Sequence, residues 1–502
     1  MQNLFVQFAN RFPDDLQQAL LITPAGDSFS YADADRESAR LAHYLSAAGL
    51  RSGDRVTVQA AKSPQAVWLY LACLRGGFVY HPLNPAYQSV ELEYLVADAK
   101  PKLIVCTPER VSLFSALTTE QDCRVVSLDE SGAGSLTDES KSVVATFETI
   151  ACEDDTVAVL LYSSGTTGKP KGAMLTHRNL AANIRTLIDV WGFTGRDRLL
   201  HTLPIYHAHG LLVALGCVLM SGASMIFLPK FDMQTVIRKL PAATVMMGIP
   251  TFYTRLLGEK NFNRDCCGSI RLFISGSAPL LAETHQEFEA RTGHAIVERY
   301  GMTETCMNSS NPLDGERRPG SVGRALPGVS IRVTDDADHP LAAGQTGEIQ
   351  VRGPNVFVGY WGMPARTRQE FTADGFFRTG DLGAMGDDGY LSIRGRKRDM
   401  IISGGLNVYP REVEQVLDEL PGVAESAVIG VPHPDFGEGV IAVIVPQRGH
   451  TTTEDLVIAS VRKKLADFKA PKRVFFAEEL PRNTMGKVRK NALREQYNGV
   501  LS

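Results

Sequence analysis

The chain has 502 residues, 44% of them hydrophobic and 22% charged, with a formal net charge of −4 at pH 7. That balance suits a soluble chain long enough for two or more cores, and it excludes a global attraction to nucleic acid or to an anionic membrane surface. The eight cysteines lack a Cys-x-x-Cys pair or zinc-site spacing, and adjacent Cys266 and Cys267 are poorly placed to bridge, so free thiols in a reducing, cytoplasmic setting are expected.

Met1-Gln2-Asn3-Leu4-Phe5 lacks the basic, apolar and small-residue order of a signal peptide, and Asp14 and Asp15 follow soon after. Apolar residues recur at helical spacing from Tyr31 to Gly49, Arg55 to Ala60 reads as a strand, and Pro64 to Arg75 as a second helix. A helix from Glu91 to Ala99 and a buried strand from Leu103 to Cys106 continue this α/β rhythm. Asp129 to Lys141, rich in Gly, Ser and acids, reads as a solvated connection. Thr156 to Tyr162 is a short apolar run, expected as a buried strand that delivers a ligand loop at its carboxyl end.

That loop is Ser163-Ser164-Gly165-Thr166-Thr167-Gly168-Lys169-Pro170-Lys171-Gly172. Its glycines let the backbone approach an anion, its hydroxyls donate to phosphate oxygens and its lysines add compact positive charge, so it is expected to grip the triphosphate of ATP. A plain Ser/Thr/Gly surface turn is the alternative. It is not a P-loop, because that spacing needs glycine where Ser163 stands and Ser or Thr where Pro170 stands.

Thr176 is placed to cap a helix running through Ile188. In Pro204-Ile205-Tyr206-His207-Ala208-His209-Gly210 no third ligand accompanies the two histidines, which read as pocket wall or loop residues rather than a metal site. Leu211 to Leu228 is interrupted by Ser221, Gly222 and Ser224, so a buried helix followed by a strand is expected and no stable membrane association. Leu272 to Ile274, followed by Ser275-Gly276-Ser277-Ala278-Pro279, repeats the strand-then-glycine-turn design, with Pro279 suited to the first turn of the next helix.

Glu298-Arg299-Tyr300-Gly301-Met302-Thr303-Glu304-Thr305 groups an arginine, a flat aromatic, hydroxyls and carboxylates: Tyr300 suits adenine and Glu304 suits Mg²⁺, with a surface-charged Tyr-Gly turn as the alternative. The pattern is β-like from Gly347 to Gly353, and Asp381 falls in a Gly-flanked turn suited to accepting from ribose hydroxyls. Arg394 to Asp399 bunches charge between two apolar runs, which places a domain boundary there, with residues 1–397 on one side, 398–502 on the other and a hinge at Arg398. Beyond it, Ile402 to Val408, a helix from Pro410 and strands near Ala427–Val431 and Val440–Val445 read as a compact α+β unit, ending in a polar loop, Pro481 to Val488, that projects Lys487 away from its own core.

Taken in order, the phosphate loop, Tyr300-Gly301-Met302-Thr303-Glu304, Thr379-Gly380-Asp381, Gly395-Arg396-Lys397-Arg398-Asp399 and Gly486-Lys487 make the chain resemble the acyl-adenylate-forming superfamily of acyl-CoA synthetases, luciferases and peptide-synthetase adenylation domains over nearly its whole length. Ile205-Tyr206-His207, Ile274 to Leu280 and Glu298 to Thr305 look closest to the branch that activates malonate. The resemblance implies an α/β fold with a large N-terminal domain of layered sheets and helices and a small, mobile α+β C-terminal domain. It implies ATP, Mg²⁺ and coenzyme A as the small molecules used. Ser163, Ser164, Gly165, Thr166, Thr167, Gly168 and Lys171 would hold the triphosphate, and Gly276, Ser277, Ala278, Tyr300, Gly301 and Thr303 would complete the nucleotide site. Asp381 and Arg396 would hold ribose, Thr166 and Glu304 would hold Mg²⁺, and Gly404 and Gly405 would line the coenzyme A tunnel. Lys487, Glu304 and His207 would stand at the reacting centre. Arg398 departs from the Lys or Asp usual at the pivot.

The chemistry follows from what a carboxylate lacks, a good leaving group. Attack on the α-phosphate gives acyl-AMP and pyrophosphate, the thiolate of coenzyme A then displaces AMP, and no cysteine of the chain is required. For malonate, Arg299 would pair with the distal carboxylate while Ser277 and His207 add polar contacts; a surface pair of Arg299 with Glu298 or Glu304 is the alternative. Acetylation of Lys487 by a lysine acetyltransferase, reversed by a deacetylase, would remove its charge. Competing expectations are another short acid, a stand-alone adenylation domain loading a carrier protein, a phosphotransferase and a nucleotide-binding module without chemistry. Methylmalonate tolerance and oligomeric state stay open at this point.

Overall fold

The computed structural model describes residues 3–119, 122–163, 170–403, 406–447, 449–450, 452–483 and 486–501. Two large sheets carry the first three hundred residues. One has seven strands: Arg55–Gln59, Val79–Pro82, Leu103–Cys106, Arg124–Ser127 and Val157–Ser163 run parallel, Lys171–Thr176 turns back antiparallel beside Val157–Ser163, and Gly359–Tyr360 closes that edge. The other has nine, with a parallel centre formed by Ala19–Ile22, Ser224–Phe227, Arg198–His201, Val245–Gly248, Leu272–Ser275 and Val297–Met302. Their central strands are short apolar runs such as Leu103–Cys106 and Val245–Gly248, buried throughout because helices cover both faces of a parallel sheet.

The helix Pro64–Gly76 is apolar nearly all round and buried along most of its length, and it belongs to one continuous core shared by both sheets. Thr176 caps the helix His177–Val190 through a reciprocal bond with Asn179, as its position before the apolar periodicity predicts. A four-stranded antiparallel sheet follows, Ser330–Thr334, Gly347–Arg352, Phe377–Met385 and Leu391–Arg396. After a single 3-10 turn, Lys397–Asp399, the chain builds a five-stranded sheet with helices Pro410–Asp418 and Glu454–Lys464 and its own apolar clusters. The architecture is therefore mixed α/β, a large N-terminal domain followed by a small C-terminal one.

Three local expectations are corrected. Within Asp129–Lys141 a helix forms at Ser135–Ser140, because Leu136 is buried in the main core and Glu139 accepts from Tyr44 at 2.5 Å. Pro279 does not open a helix; the next helix begins at Ala282, because the left-handed backbone at Ser277, φ 73°, keeps the intervening residues in a loop. Asp381 lies within the strand Phe377–Met385 rather than in a turn, since the ladder to Arg396 takes up the extra residue as a register shift.

Candidate active site

The carboxyl ends of the parallel strands converge on one region, the usual consequence of a common strand direction. Ser163, at the end of Val157–Ser163, donates to Oε1 of buried Glu304 at 2.8 Å, and Tyr360 donates to the same oxygen at 3.1 Å. Among the described residues no hydrogen bond reaches Glu304 Oε2. No group of three or more His, Cys, Asp and Glu is gathered as a cation cage among those residues either. One carboxylate with an open oxygen suits Mg²⁺, which is bound mainly through substrate phosphates and water.

Both shoulders of the glycine-rich loop are tied to the helix Ser89–Ala99: Tyr94 donates to the Pro170 carbonyl at 3.0 Å and Tyr162 to Asp98 at 2.5 Å. Ser164, Gly165, Thr166, Thr167 and Gly168 lie outside the described residues, as do Gly404 and Gly405. Lys171 is buried, with Nζ 3.4 Å from Glu370 and 4.2 Å above the Tyr360 ring.

Each oxygen of Asp381 has one partner and keeps a second lone pair for another donor. Tyr300 donates to Oδ2 and Arg396 meets Oδ1, each at 2.6 Å, so the aromatic and the two charged residues expected at the nucleoside form one cluster. Burial, followed by the nearby Asp381 charge, holds the Tyr300 phenol well above its ordinary pKa, so it acts as a donor.

The Lys487 turn is built from its own neighbours: Lys487 N–H donates to Asn483 Oδ1 at 2.9 Å, and Arg482 reaches the Gly486 carbonyl and Glu425. The turn meets the large domain at Gly486, where an added Cβ would stand 3.0 Å from Thr251 Oγ1 and 3.4 Å from Ile249 Cδ1. Lys487 keeps a solvent-facing side. Its ammonium is nonetheless hemmed in, and lost hydration, then repulsion from Arg396, lower its pKa from 10.5 to about 8. At the boundary, Lys397 bridges Asp336 at 2.8 Å and Glu348 at 3.0 Å, whereas Arg398 is exposed.

The strongest anomaly is Arg299. It is 4% exposed, yet its Nε and Nη2 have no hydrogen-bond partner, and no carboxylate pairs with it among the described residues. Neither neighbour of the expected surface pair engages it: Glu298 turns to His285 at 3.7 Å and Glu304 to Ser163 and Tyr360. Burial lowers its pKa to about 10, so the guanidinium remains charged at neutral pH. Next to Gly276, which lies against the guanidinium, Ser277 has its Oγ 3.2 Å from His209 Nδ1; burial together with Arg299 pulls His209 well below its ordinary value, and burial pulls His207, which neighbours His209, down to about 4. A cation facing neutral polar groups is a receptor for an anion.

Gly276 is what makes room for it. A Cβ there would fall 2.3 Å from Arg299 Cζ and 2.5 Å from Nε. Gly276→Ala is expected to displace the guanidinium and raise KM for an anionic acyl substrate about tenfold or more, with KM for ATP much less affected, as steady-state kinetics would show.

His209 and Tyr360 were not singled out as site residues by sequence. The repeated histidine in His207-Ala208-His209 was the available signal for the first. Tyr360 has none, since it reaches Glu304 only through the pairing of Gly359–Tyr360 with Lys171–Thr176.

Residues 5–361 match the AMP-binding enzyme family and residues 412–487 match the AMP-binding enzyme C-terminal domain. The chain belongs to the AMP-binding enzyme family. It is 36% identical to a mitochondrial malonate–CoA ligase of Mus musculus, over 89% of this chain and 83% of that one. It is also 36% identical to an indoleacetate–CoA ligase of Aromatoleum aromaticum, over 93% and 92%. ATP-bound MatB from Rhodopseudomonas palustris superposes over 100% of both chains at 52% identity with a TM-score of 0.98, and its apo form with a TM-score of 0.86.

Proposed function

We propose that the chain is a malonyl-CoA synthetase, an AMP-forming acid–thiol ligase that converts ATP, malonate and coenzyme A to AMP, diphosphate and malonyl-CoA through malonyl-AMP. The observation that carries the choice of acid is the buried, unpaired guanidinium of Arg299 near Ser277 and His209. A dicarboxylate supplies the missing counter-charge with one end while presenting the other for reaction. An aliphatic or aromatic acid would leave that cation buried without a partner.

In this reading Asp381 and Arg396 receive the ribose, Tyr300 covers adenine and Lys171 with the glycine-rich loop takes the phosphates. Glu304 offers Mg²⁺ its open oxygen, and the bound ion would offset negative charge on the triphosphate. Lys487 brings the second positive charge to the α-phosphate, from a domain that pivots at Arg398 so that Gly404 and Gly405 later line the coenzyme A path. A cytoplasmic enzyme fits the free cysteines, and no helix among the described residues is long and apolar enough to cross a membrane. Acetylation of Lys487 would remove the charge that adenylation needs; acetylated protein that retained full adenylation would contradict that control.

Incubating the protein with ATP, Mg²⁺, coenzyme A and a panel of acids tests the reading. Malonyl-CoA and AMP are expected in equal amounts, with methylmalonate turned over more slowly and acetate and benzoate barely at all. ADP as product, or an uncharged-tail acid preferred over malonate, would refute it.

A further inference from the structure

A second cation lacks a carboxylate partner, and it comes from the other sheet. Lys62 follows the strand Arg55–Gln59 of the seven-stranded sheet, yet its Nζ lies 2.8 Å from Nδ1 of His201 and 2.9 Å from the His201 carbonyl, at the carboxyl end of Arg198–His201 in the nine-stranded sheet. The same ammonium sits 4.3 Å over the Phe227 ring, and among the described residues no acid pairs with it. The carbonyl that faces His201 Nε2 can only accept, so the ring proton resides on Nε2, and Nδ1 is left to accept from Lys62, whose pKa burial holds well below its ordinary value. That proton points at the carbonyl of Gly210, 3.0 Å away. The tautomer is thus fixed by the Gly210 carbonyl, and Lys62 fixes where the ring sits by closing its opposite edge.

Gly210 closes the segment that carries the two pocket histidines. Its backbone is folded tightly on Pro204, whose carbonyl would be 2.0 Å from a Cβ at Gly210, and Leu211 N–H returns to the His207 carbonyl at 2.9 Å. From Gly210 the contacts continue through His209 to Ser277 at 3.2 Å, and Gly276 beside Ser277 lies against Arg299. We propose that Lys62 is a positioning residue for the acyl pocket: by holding the Nδ1 edge of His201 it keeps the Nε2–H directed at Gly210 and, through it, sets the wall that His207 and His209 present to the acid. The inference rests on the reading of that wall as the acyl pocket. Its role is to hold one edge of a ring whose other edge faces Gly210.

Lys62→Met keeps the apolar stem over Phe227 and removes only the donor; Lys62→Arg restores donors. With whichever acid the wild type turns over best, Lys62→Met is expected to raise KM for the acid about tenfold, the equivalent of one lost directional hydrogen bond, and to leave KM for ATP within about twofold. Lys62→Arg should recover part of the loss. Histidine-selective nitrogen NMR, with the His201 signal identified by its loss in His201→Gln, should show Nδ1 as a hydrogen-bonded acceptor in the wild type and shifted to the free-acceptor position in Lys62→Met. An unchanged acid KM, equal changes for acid and ATP, or an unaltered His201 Nδ1 signal in Lys62→Met would overturn the proposal. The choice of malonate is judged separately by which acid the wild type prefers, so either conclusion can fail alone.

Discussion

Arg299→Ala should lower kcat/KM for malonate by about a thousandfold, on the order of 4 kcal/mol, the usual cost of removing one member of a desolvated charge pair. The loss should fall mainly on malonate. An uncharged short acid, which gains nothing from the guanidinium, should lose less than about tenfold, because the substitution removes a cation it never used. Assaying both acids with one variant separates recognition of the distal carboxylate from general damage, and equal losses would end the proposed role. The same residue makes an opposite prediction for stability. In the free protein Arg299 buries Nε and Nη2 without partners, an arrangement that costs free energy until an anion arrives. Arg299→Met fills the space without charge, so its melting temperature should equal or exceed that of the wild type while malonate turnover collapses. Saturating malonate should then raise the melting temperature of the wild type and leave that of Arg299→Met unchanged.

Lys487→Ala should reduce formation of malonyl-AMP about a hundred- to thousandfold, the usual effect of removing one charged donor from a developing oxyanion. Conversion of preformed malonyl-AMP and coenzyme A to thioester should stay within about threefold of the wild type, because displacement of AMP needs no second cation at the α-phosphate. The geometry behind this is the docking of Gly486 at Thr251 and Ile249, which holds Lys487 beside Asp381 and Arg396. Failure of both half-reactions would contradict a domain that serves them in turn. The pH dependence follows with a definite sign. Desolvation and Arg396 lower the Lys487 pKa to about 8, so the productive charged form is lost as pH rises through that value. The kcat/KM for ATP in the adenylation half-reaction should therefore fall on the alkaline side of about pH 8, and Lys487→Arg should move that limb upward, since a guanidinium stays protonated.

The strands and helices with strong periodicity were readable residue by residue: Leu103–Cys106 and the helix capped by Thr176 fall where apolar spacing and capping chemistry place them. Two of the misreadings share one cause. Ser135–Ser140 and Asp381 occupy polar or Gly-rich stretches whose local preference is turn, and distant partners decided otherwise, buried Leu136 with Tyr44 and the ladder to Arg396, whereas Pro279, suited to a helix start, is kept in a loop by the left-handed Ser277. Local propensity carries no information about such partners.

By itself the sequence determined the class of chemistry, because phosphate grip, aromatic, carboxylate, ribose acid and terminal lysine follow in an order that only an adenylating chain needs. It also named Arg299, but left that side chain divided between a surface pair and a pocket. Only the tertiary structure decided between them. Glu298 and Glu304 lie within five positions of Arg299 in sequence yet are engaged elsewhere in space, and Gly276, twenty-three positions earlier, leaves the space that the guanidinium fills. Likewise no pattern joins Lys62 to His201, which belong to different sheets. A charge becomes a receptor when folding strips it of water and of partners together, and that condition depends on every element packed around it.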